Sequence, residues 1–274
     1  MKKLLTLFLA VIAMFTATSC STKKTLVVYT ESGFAPFEYV SGNAIVGVDV
    51  DIMNLVGEEL GMEVKFENVA FDTIIDAVAA GKLTNVGAAG LSVTEERMEK
   101  VDFSTVYYQA DLYVIYNVNK APESKVMTDN ETGVYWSSLT TNNGIGVQGG
   151  TTADLFLTDE VAEEGSLVGV KKTTFDSLSI AVMAIGKDID YVVIDELPAK
   201  QLVAGNEGLA CLPLYYEGAE GEADEAACDS YAICVTKGQT EILNAINKVL
   251  AELLVEDENG VNGVQKLVNK HLGL

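Results

Sequence analysis

Two stretches of this chain, AVAAGKLTNVGAAGLS (77–92) and AVMAIGKDIDYVVIDE (181–196), repeat one pattern about a hundred residues apart. Each closes a helix at Gly-Lys, crosses in a few residues and enters an apolar strand. The rest of the chain keeps that rhythm. TLVVYT (25–30) reads as a strand, and GVDVDIMNLVGEELG (47–61) as a helix with Ile52, Leu55, Val56 and Leu60 on one face and Gly61 as its stop. EVKFENV (63–69) is a strand, FDTIIDAVAAGK (71–82) a helix closed by Gly81, and NVGAAGLSV (85–93) a strand. Ahead of the second copy, NNGIGVQGGTTADLF (142–156) gives a strand, a Gly-rich turn and a helix start. Alternation of this kind makes βαβ units with parallel strands. Written twice, it predicts two similar α/β lobes and a cleft between them, rimmed by the carboxyl ends of strands and the N-termini of helices.

Composition narrows the partners. With 49% hydrophobic residues the chain can build a substantial core, and its 18 basic against 40 acidic residues give a formal charge of −22. So negative a field repels nucleic acid and anionic surfaces at long range. It serves solubility equally well. The first twenty residues, MKKLLTLFLAVIAMFTATSC, are an export signal: two lysines, an apolar run from Leu4 to Phe15, then small residues. That run is too short to span a bilayer. Ala17-Thr18-Ser19 suits ordinary cleavage, whereas Ser19-Cys20 resembles the bacterial lipoprotein signal, in which Cys20 becomes the lipid-modified N-terminus. The polar STKK that follows favours residues 20–24 as a tether after a leader at 1–19. Losing Lys2 and Lys3 with that leader takes the formal charge from −22 to −24.

Cys211, Cys228 and Cys234 then remain, so at least one is unpaired. Cys234 in YAICV reads as a buried strand residue, and Cys211 and Cys228 could pair across an acidic, Gly-rich stretch. No CxxC or His-Cys cluster exists, and the residues point to no metal and no cofactor. His271, in NKHLGL near the end, is expected in a solvated tail.

The runs GFAPFEYV (33–40), GVDVDIMNLVGEELGMEVKFENVAFDTIIDAVAAGK (47–82), AAGLSVTEERMEKVDFSTVYY (88–108), IGVQGGTTAD (145–154), YVVIDELPAK (191–200) and YAICVTKG (231–238) resemble, in order, the extracellular solute-binding proteins that deliver amino acids to ABC transporters. The resemblance implies an α/β, two-lobed periplasmic-binding-protein fold of type II, each lobe a mostly parallel sheet flanked by helices, with two hinge crossings. Lobe one would comprise 25–111 and 229–274, and lobe two 112–228. It implies an exported, lipid-anchored monomer at the periplasm or outer face of the membrane, with an ABC permease as partner. Dehydratases of the cyclohexadienyl type and ligand-sensing lipoproteins resemble the same fold and stand as alternatives.

A site for a free amino acid must replace the hydration of a carboxylate and an ammonium at once. Arg97 is the only arginine in a chain with seventeen lysines, and its planar guanidinium offers two parallel N–H groups that a lysine cannot copy. The resemblance makes Arg97 of Thr94-Glu95-Glu96-Arg97 the carboxylate clamp. A surface arginine paired with Glu95 or Glu96 is the plainer alternative. From the other lobe, Gly149 and Gly150 turn the chain so that Thr151 and Thr152 open a helix whose free N–H groups face an anion. Asp195, ending the strand YVVI, is by resemblance the ammonium partner, completed by the Gly90 carbonyl and the Ser92 hydroxyl; otherwise it is a helix cap. Glu31, Phe34, Phe71 and Gln148 match the positions that select a side chain. Two rings, a carboxylate and an amide suit a polar or basic amino acid. Asn85 stands where the second copy has Asp190, with one extra residue before it, so the first turn is expected to differ locally.

Overall fold

The computed structural model describes residues 24–274; the export leader, Cys20 and residues 21–23 of the tether lie outside the described residues. Two sheets carry the chain. The first orders its strands Glu63–Asn68, Thr25–Thr30, Val86–Gly87, Cys234–Thr236 and Val101–Phe103. At the heart of the second, nine-stranded sheet the order is Lys172–Phe175, Ile145–Gln148, Tyr191–Asp195, Tyr108–Asn117 and Leu209–Tyr216. In both, the second strand of a βαβαβ unit lies outside the first, the third lies inside it, and an antiparallel strand follows. The repeated sequence pattern is therefore a repeated topology. Parallel pairing is centred on these three-strand units. Elsewhere the sheets are mixed, because strands that enter from the other part of the chain pair antiparallel.

The lobes are joined twice. Tyr108–Asn117 pairs antiparallel with the returning strand Cys228–Tyr231, with Tyr231 opposite Tyr108 and Cys228 opposite Asp111. Phe37 and Tyr231 meet edge to face at 5.0 Å between ring centroids, with Phe34, Tyr107 and Tyr108 around them. Such ring pairs add to the area they bury. The crossing is thus a packed aromatic joint.

Local departures from the periodicity have physical causes. In the helix Val48–Leu60 the core side takes Val48, Ile52, Met53 and Val56, while Leu55 is 37% exposed; at 100° per residue Leu55 falls at the edge of that stripe, beside Val48. The stretch 85–93 is a strand only at Val86–Gly87, after which the chain leaves the sheet and returns as a single bridge between Ser92 and Tyr231. His271 is not a tail residue. It lies in the last helix, Gly263–Leu272, with Nε2 2.9 Å from Asp51 and Nδ1 3.2 Å from the Tyr39 hydroxyl. The short amphipathic helix docks onto the first, and this carries the histidine inward.

Cys211 and Cys228 sit opposite Ile115 and Asp111 on the same strand. Four residues of strand separate them by about 13 Å, beyond the 4.4–6.8 Å that a disulfide allows between Cα atoms. All three cysteines among the described residues are free, and Cys234 is fully buried.

Gly47 links the three-stranded sheet (Gly33–Phe34, Glu38–Ser41, Ala44–Val46) to the first helix with φ 143°, and a Cβ there would stand 1.9 Å from the Phe37 carbonyl oxygen. Gly42, in the hairpin of that sheet, has φ 61° and open space around it. Gly42→Ala should therefore cost only about 1 kcal/mol of backbone strain, whereas Gly47→Ala must also move backbone and should cost about 3 kcal/mol or more. Urea unfolding of the two variants checks this, and equal midpoints would show that the 46–48 backbone yields easily.

Candidate functional site

The parallel strands of both units end at one place. Thr25–Thr30 runs into Glu31, Glu63–Asn68 leads to Phe71, Val86–Gly87 to Gly90 and Ser92, Ile145–Gln148 to Thr151 and Thr152, and Tyr191–Asp195 ends on Asp195 itself. Where the lobes meet, Glu31, Phe34, Phe71, Gly90, Ser92, Gln148, Thr151, Thr152 and Asp195 line one small cavity of about 10 Å³. That is room for about one water, so the lobes lie closed on each other here. The tenth candidate, Arg97, stands against this lining without forming part of it.

Arg97 is 7% exposed, with its guanidinium carbon 5.8 Å from the Phe71 ring centroid. Its short helix, Glu95–Lys100, begins at Thr94, whose hydroxyl accepts the Arg97 backbone N–H at 3.2 Å. One terminal nitrogen donates to the Ser92 carbonyl at 2.7 Å and the other to the Gly150 carbonyl of the opposite lobe at 2.8 Å. These use two of five N–H donors. Glu96 pairs with Lys100 instead, so Arg97 is not a surface ion-pair partner. Burial lowers the proton affinity of Arg97, and the charge of Asp229 opposes that most strongly. The side chain stays charged.

On the other lobe Thr151 caps the helix Thr152–Val161. Its hydroxyl accepts the Asp154 N–H at 3.2 Å and donates to the Gln148 carbonyl at 2.8 Å. Thr152 Oγ1 lies 3.2 Å from Ser92 Oγ across the cleft and donates to Asp229. Asp195 begins the helix Glu196–Ala204 but makes no side-chain cap. It is 4% exposed, and its Oδ1 is buried without a hydrogen-bond partner among the described residues. A carboxylate so placed is not there to cap, since it leaves the helix N–H groups to other partners. Desolvation, then the neighbouring Asp229, push its pKa well above the carboxylate range.

Glu31 and Gln148 come together from opposite lobes at the far end of the cavity. Burial raises the Glu31 pKa, and the Gly33 N–H and the Gln148 amide partly offset it. Gly90 takes φ 53°, and a Cβ there would approach the Phe34 ring to 2.7 Å. That close approach packs the Phe34 ring on the Gly90 backbone.

The structure adds residues that periodicity did not single out. Asp49, fully buried in the first helix, accepts the Gly90 N–H at 2.9 Å and the Tyr107 hydroxyl at 2.5 Å. It therefore anchors the loop that carries Gly90 and Ser92. Glu38 is also fully buried, and neither of its oxygens meets hydrogen-bonding geometry; burial, then the charge of Asp49, raise its pKa strongly. Asp229 joins the cluster from the returning strand. For Asp49 the available signal was an acid in the middle of a helix's apolar stripe.

The chain belongs to the bacterial extracellular solute-binding proteins, family 3, whose model matches residues 26–270. It is 27% identical over 270 residues to the arginine-binding extracellular protein of Bacillus subtilis, covering 95% of this chain and 94% of that one. The probable histidine-binding protein of Campylobacter jejuni is 28% identical, with 92% and 93% covered. Among solved structures, an amino acid ABC transporter substrate-binding protein from Streptococcus pneumoniae bound to L-arginine superposes with a TM-score of 0.73 at 27% identity, covering 91% and 94%. An ancestral arginine-binding protein bound to glutamine gives 0.72 at 29%, covering 92% and 99%. These are binding proteins, and their two-lobed type II fold is the fold of this chain.

Burial lifts the Asp49 pKa from 3.8 to about 6, against the opposing bonds from Tyr107 and Gly90. The folded protein thus holds this proton more tightly than the unfolded chain. The resulting stability is fully present below the unfolded value and is lost as pH rises through about 6, on the order of 3 kcal/mol. Asp49→Asn keeps a carbonyl for Gly90 and an amide for Tyr107, so it should lose less stability than the parent between about pH 4 and pH 7. Urea unfolding at both pH values measures this, and identical slopes would show that Asp49 titrates normally.

Proposed function

We propose that this protein holds one free amino acid between its lobes and hands it to an ABC importer. The ligand carboxylate meets Arg97 and the helix N-terminus at Thr151 and Thr152. The ammonium meets the Gly90 carbonyl, the Ser92 hydroxyl and Asp195. The side chain runs between Phe34 and Phe71 toward Glu31 and Gln148. Polar or basic amino acids fit that end, because an apolar side chain would leave the Glu31 carboxylate without a partner. L-Arginine is the first candidate, supported by the names of the relatives. The observation that carries this reading is that nine of the ten residues line one cavity, contributed by strand ends of both lobes. The lobes are 25–111 with 229–274, and 112–228. The protein works as a monomer, tethered to the membrane through a lipid on Cys20.

Stability against heat with each of the twenty amino acids tests the reading directly: a ligand at a hundred times its Kd adds about 2.7 kcal/mol to the native state. Arginine or another polar amino acid should give the largest shift, and leucine or valine little. No shift with any of the twenty would overturn it.

Arg97→Lys keeps the charge but loses the paired donors. Titration calorimetry should show affinity reduced by roughly 2 to 5 kcal/mol while the fold survives. A lysine variant that binds within a factor of about three of the parent would remove Arg97 as the clamp. Glu31→Gln should weaken arginine more than it weakens glutamine, since it removes charge and keeps hydrogen bonding; equal losses would separate Glu31 from selectivity.

A further inference from the structure

Asp195 and Asp229 stand on either side of one strand. In the registers of Tyr108–Asn117, Asp195 is opposite Leu112 and Asp229 is opposite Ala110. Directly opposed residues of antiparallel strands share a face, and positions two apart along a strand share it too. Both carboxylates therefore project from the same face, with the small Ala110 beside them, and Asp195 and Asp229 are 4% and 7% exposed. Their surroundings leave them short of cations. Arg97 is the one guanidinium that acts on both. Thr152 donates to Asp229, and the Ser92 hydroxyl stands beside Thr152. The Tyr231 hydroxyl faces Asp195 without reaching hydrogen-bonding geometry, and Tyr108 and Cys228 complete the titratable groups around the pair.

We propose that Asp195 and Asp229 share one proton, and that an arriving α-ammonium group displaces it, so that amino acid binding releases a proton. The inference rests on the reading above, in which the ligand ammonium meets Asp195, and it gives Asp229 a role as the residue that positions Thr152 and sets the proton affinity of Asp195. Two like charges this close in a buried site cannot both form cheaply. Desolvation raises the proton affinity of each, and Asp195, whose Oδ1 has no other partner, holds the proton. The bound zwitterion presents its ammonium to the pair and its carboxylate to Arg97 on the farther side. The nearer positive end dominates and favours the ionised carboxyl. The O–H bond of Asp195 breaks heterolytically, its electron pair stays on the carboxylate, and the proton passes to solvent buffer. Ligand and proton thus compete, and affinity rises with pH until the pair is ionised without ligand.

Calorimetry with L-arginine in two buffers of different ionisation enthalpy reads the proton directly. The parent should release up to about one proton per arginine below the pair's midpoint, with affinity rising as much as tenfold per pH unit. Asp229→Asn keeps an acceptor for Thr152 but removes the like charge, so its proton release and its pH dependence should shrink. Glu31→Gln should keep the release, which separates this proton from any lost by Glu31 to a basic side chain. Release in Asp229→Asn equal to the parent's would overturn the proposal. Carbon-13 NMR titration of the Asp195 carboxyl without added ligand tests the pair even if arginine does not bind. Asp195 should titrate at lower pH in Asp229→Asn than in the parent, and an ordinary carboxylate midpoint in the parent would sink the idea whatever the ligand.

Discussion

The strand Tyr108–Asn117 is the element on which the rest of the molecule depends. It pairs with Tyr191–Asp195 on one side, with Leu209–Tyr216 and Cys228–Tyr231 on the other, and all three pairings are antiparallel. Its beginning belongs to the crossing and its end to the core of the second sheet. A residue two places along it, Leu112 after Ala110, therefore moves from the partner of a hinge carboxylate to the partner of a lobe-two carboxylate. The backbone hydrogen bonds of one strand hold the two acids beside each other. The aromatic joint of Phe37, Tyr108 and Tyr231 packs the same crossing. Motion between the lobes has to be absorbed where this pairing is thinnest, and the proposed ligand contacts, split between the lobes, would bias such motion toward closure.

Around that strand the charge is arranged in a consistent order. The buried acids Asp195 and Asp229 act on a single guanidinium, while Asp49 and Glu38 are buried beside each other. Asp49 is the best satisfied, by Gly90 and Tyr107, and it fixes the loop that presents Gly90 and Ser92. Asp195 is left with an unpartnered oxygen at the cavity. Asp49, behind the wall, is bonded at both oxygens, Asp195, on the wall, at fewer, and Glu38, off the wall, at neither. A buried polar group without a partner costs about 1–3 kcal/mol. On the proposed reading a ligand supplies the missing donor and recovers that cost, and this difference between free and bound states favours binding.

How much of this was legible in the sequence depends on the range of the interaction. Gly81 and Gly61 mark helix ends, and Asp195 ends its strand, because local periodicity and backbone sterics decide those features. Arg97 stood out through composition alone. Leu55 and His271 were harder, since their environments depend on which neighbouring helix docks against the first helix. The free state of Cys211 and Cys228 depends on strand register, which no local pattern encodes. Asp229 was invisible for the same reason: an acid in a short strand acquires meaning only once Ala110 and Asp195 are its neighbours. The Asn85 departure has a matching explanation. Asp190 gathers Thr141 and Asn143 in the second unit, whereas Asn85 binds the returning strand through the Thr236 hydroxyl and backbone N–H. The two copies of one turn serve different neighbours.

A duplicated topology produces an asymmetric site for a related reason. Each βαβαβ unit offers the same strand ends to the cleft, but the residue types that follow them differ. Lobe one follows its third strand with a loop, Ala88–Thr94, that doubles back to present a carbonyl at Gly90, a hydroxyl at Ser92 and then Arg97. Lobe two ends its third strand on Asp195 and follows its first with a helix N-terminus at Thr152. A cationic side chain in one lobe faces an acid in the other, and helix N–H groups face the same cleft. An amino acid has opposite charges on one carbon, so it can satisfy both lobes only by lying across them. An arrangement with the cation and the acid in one lobe would bind without needing the other lobe to approach. On the proposed reading, the asymmetry of the site couples recognition to closure.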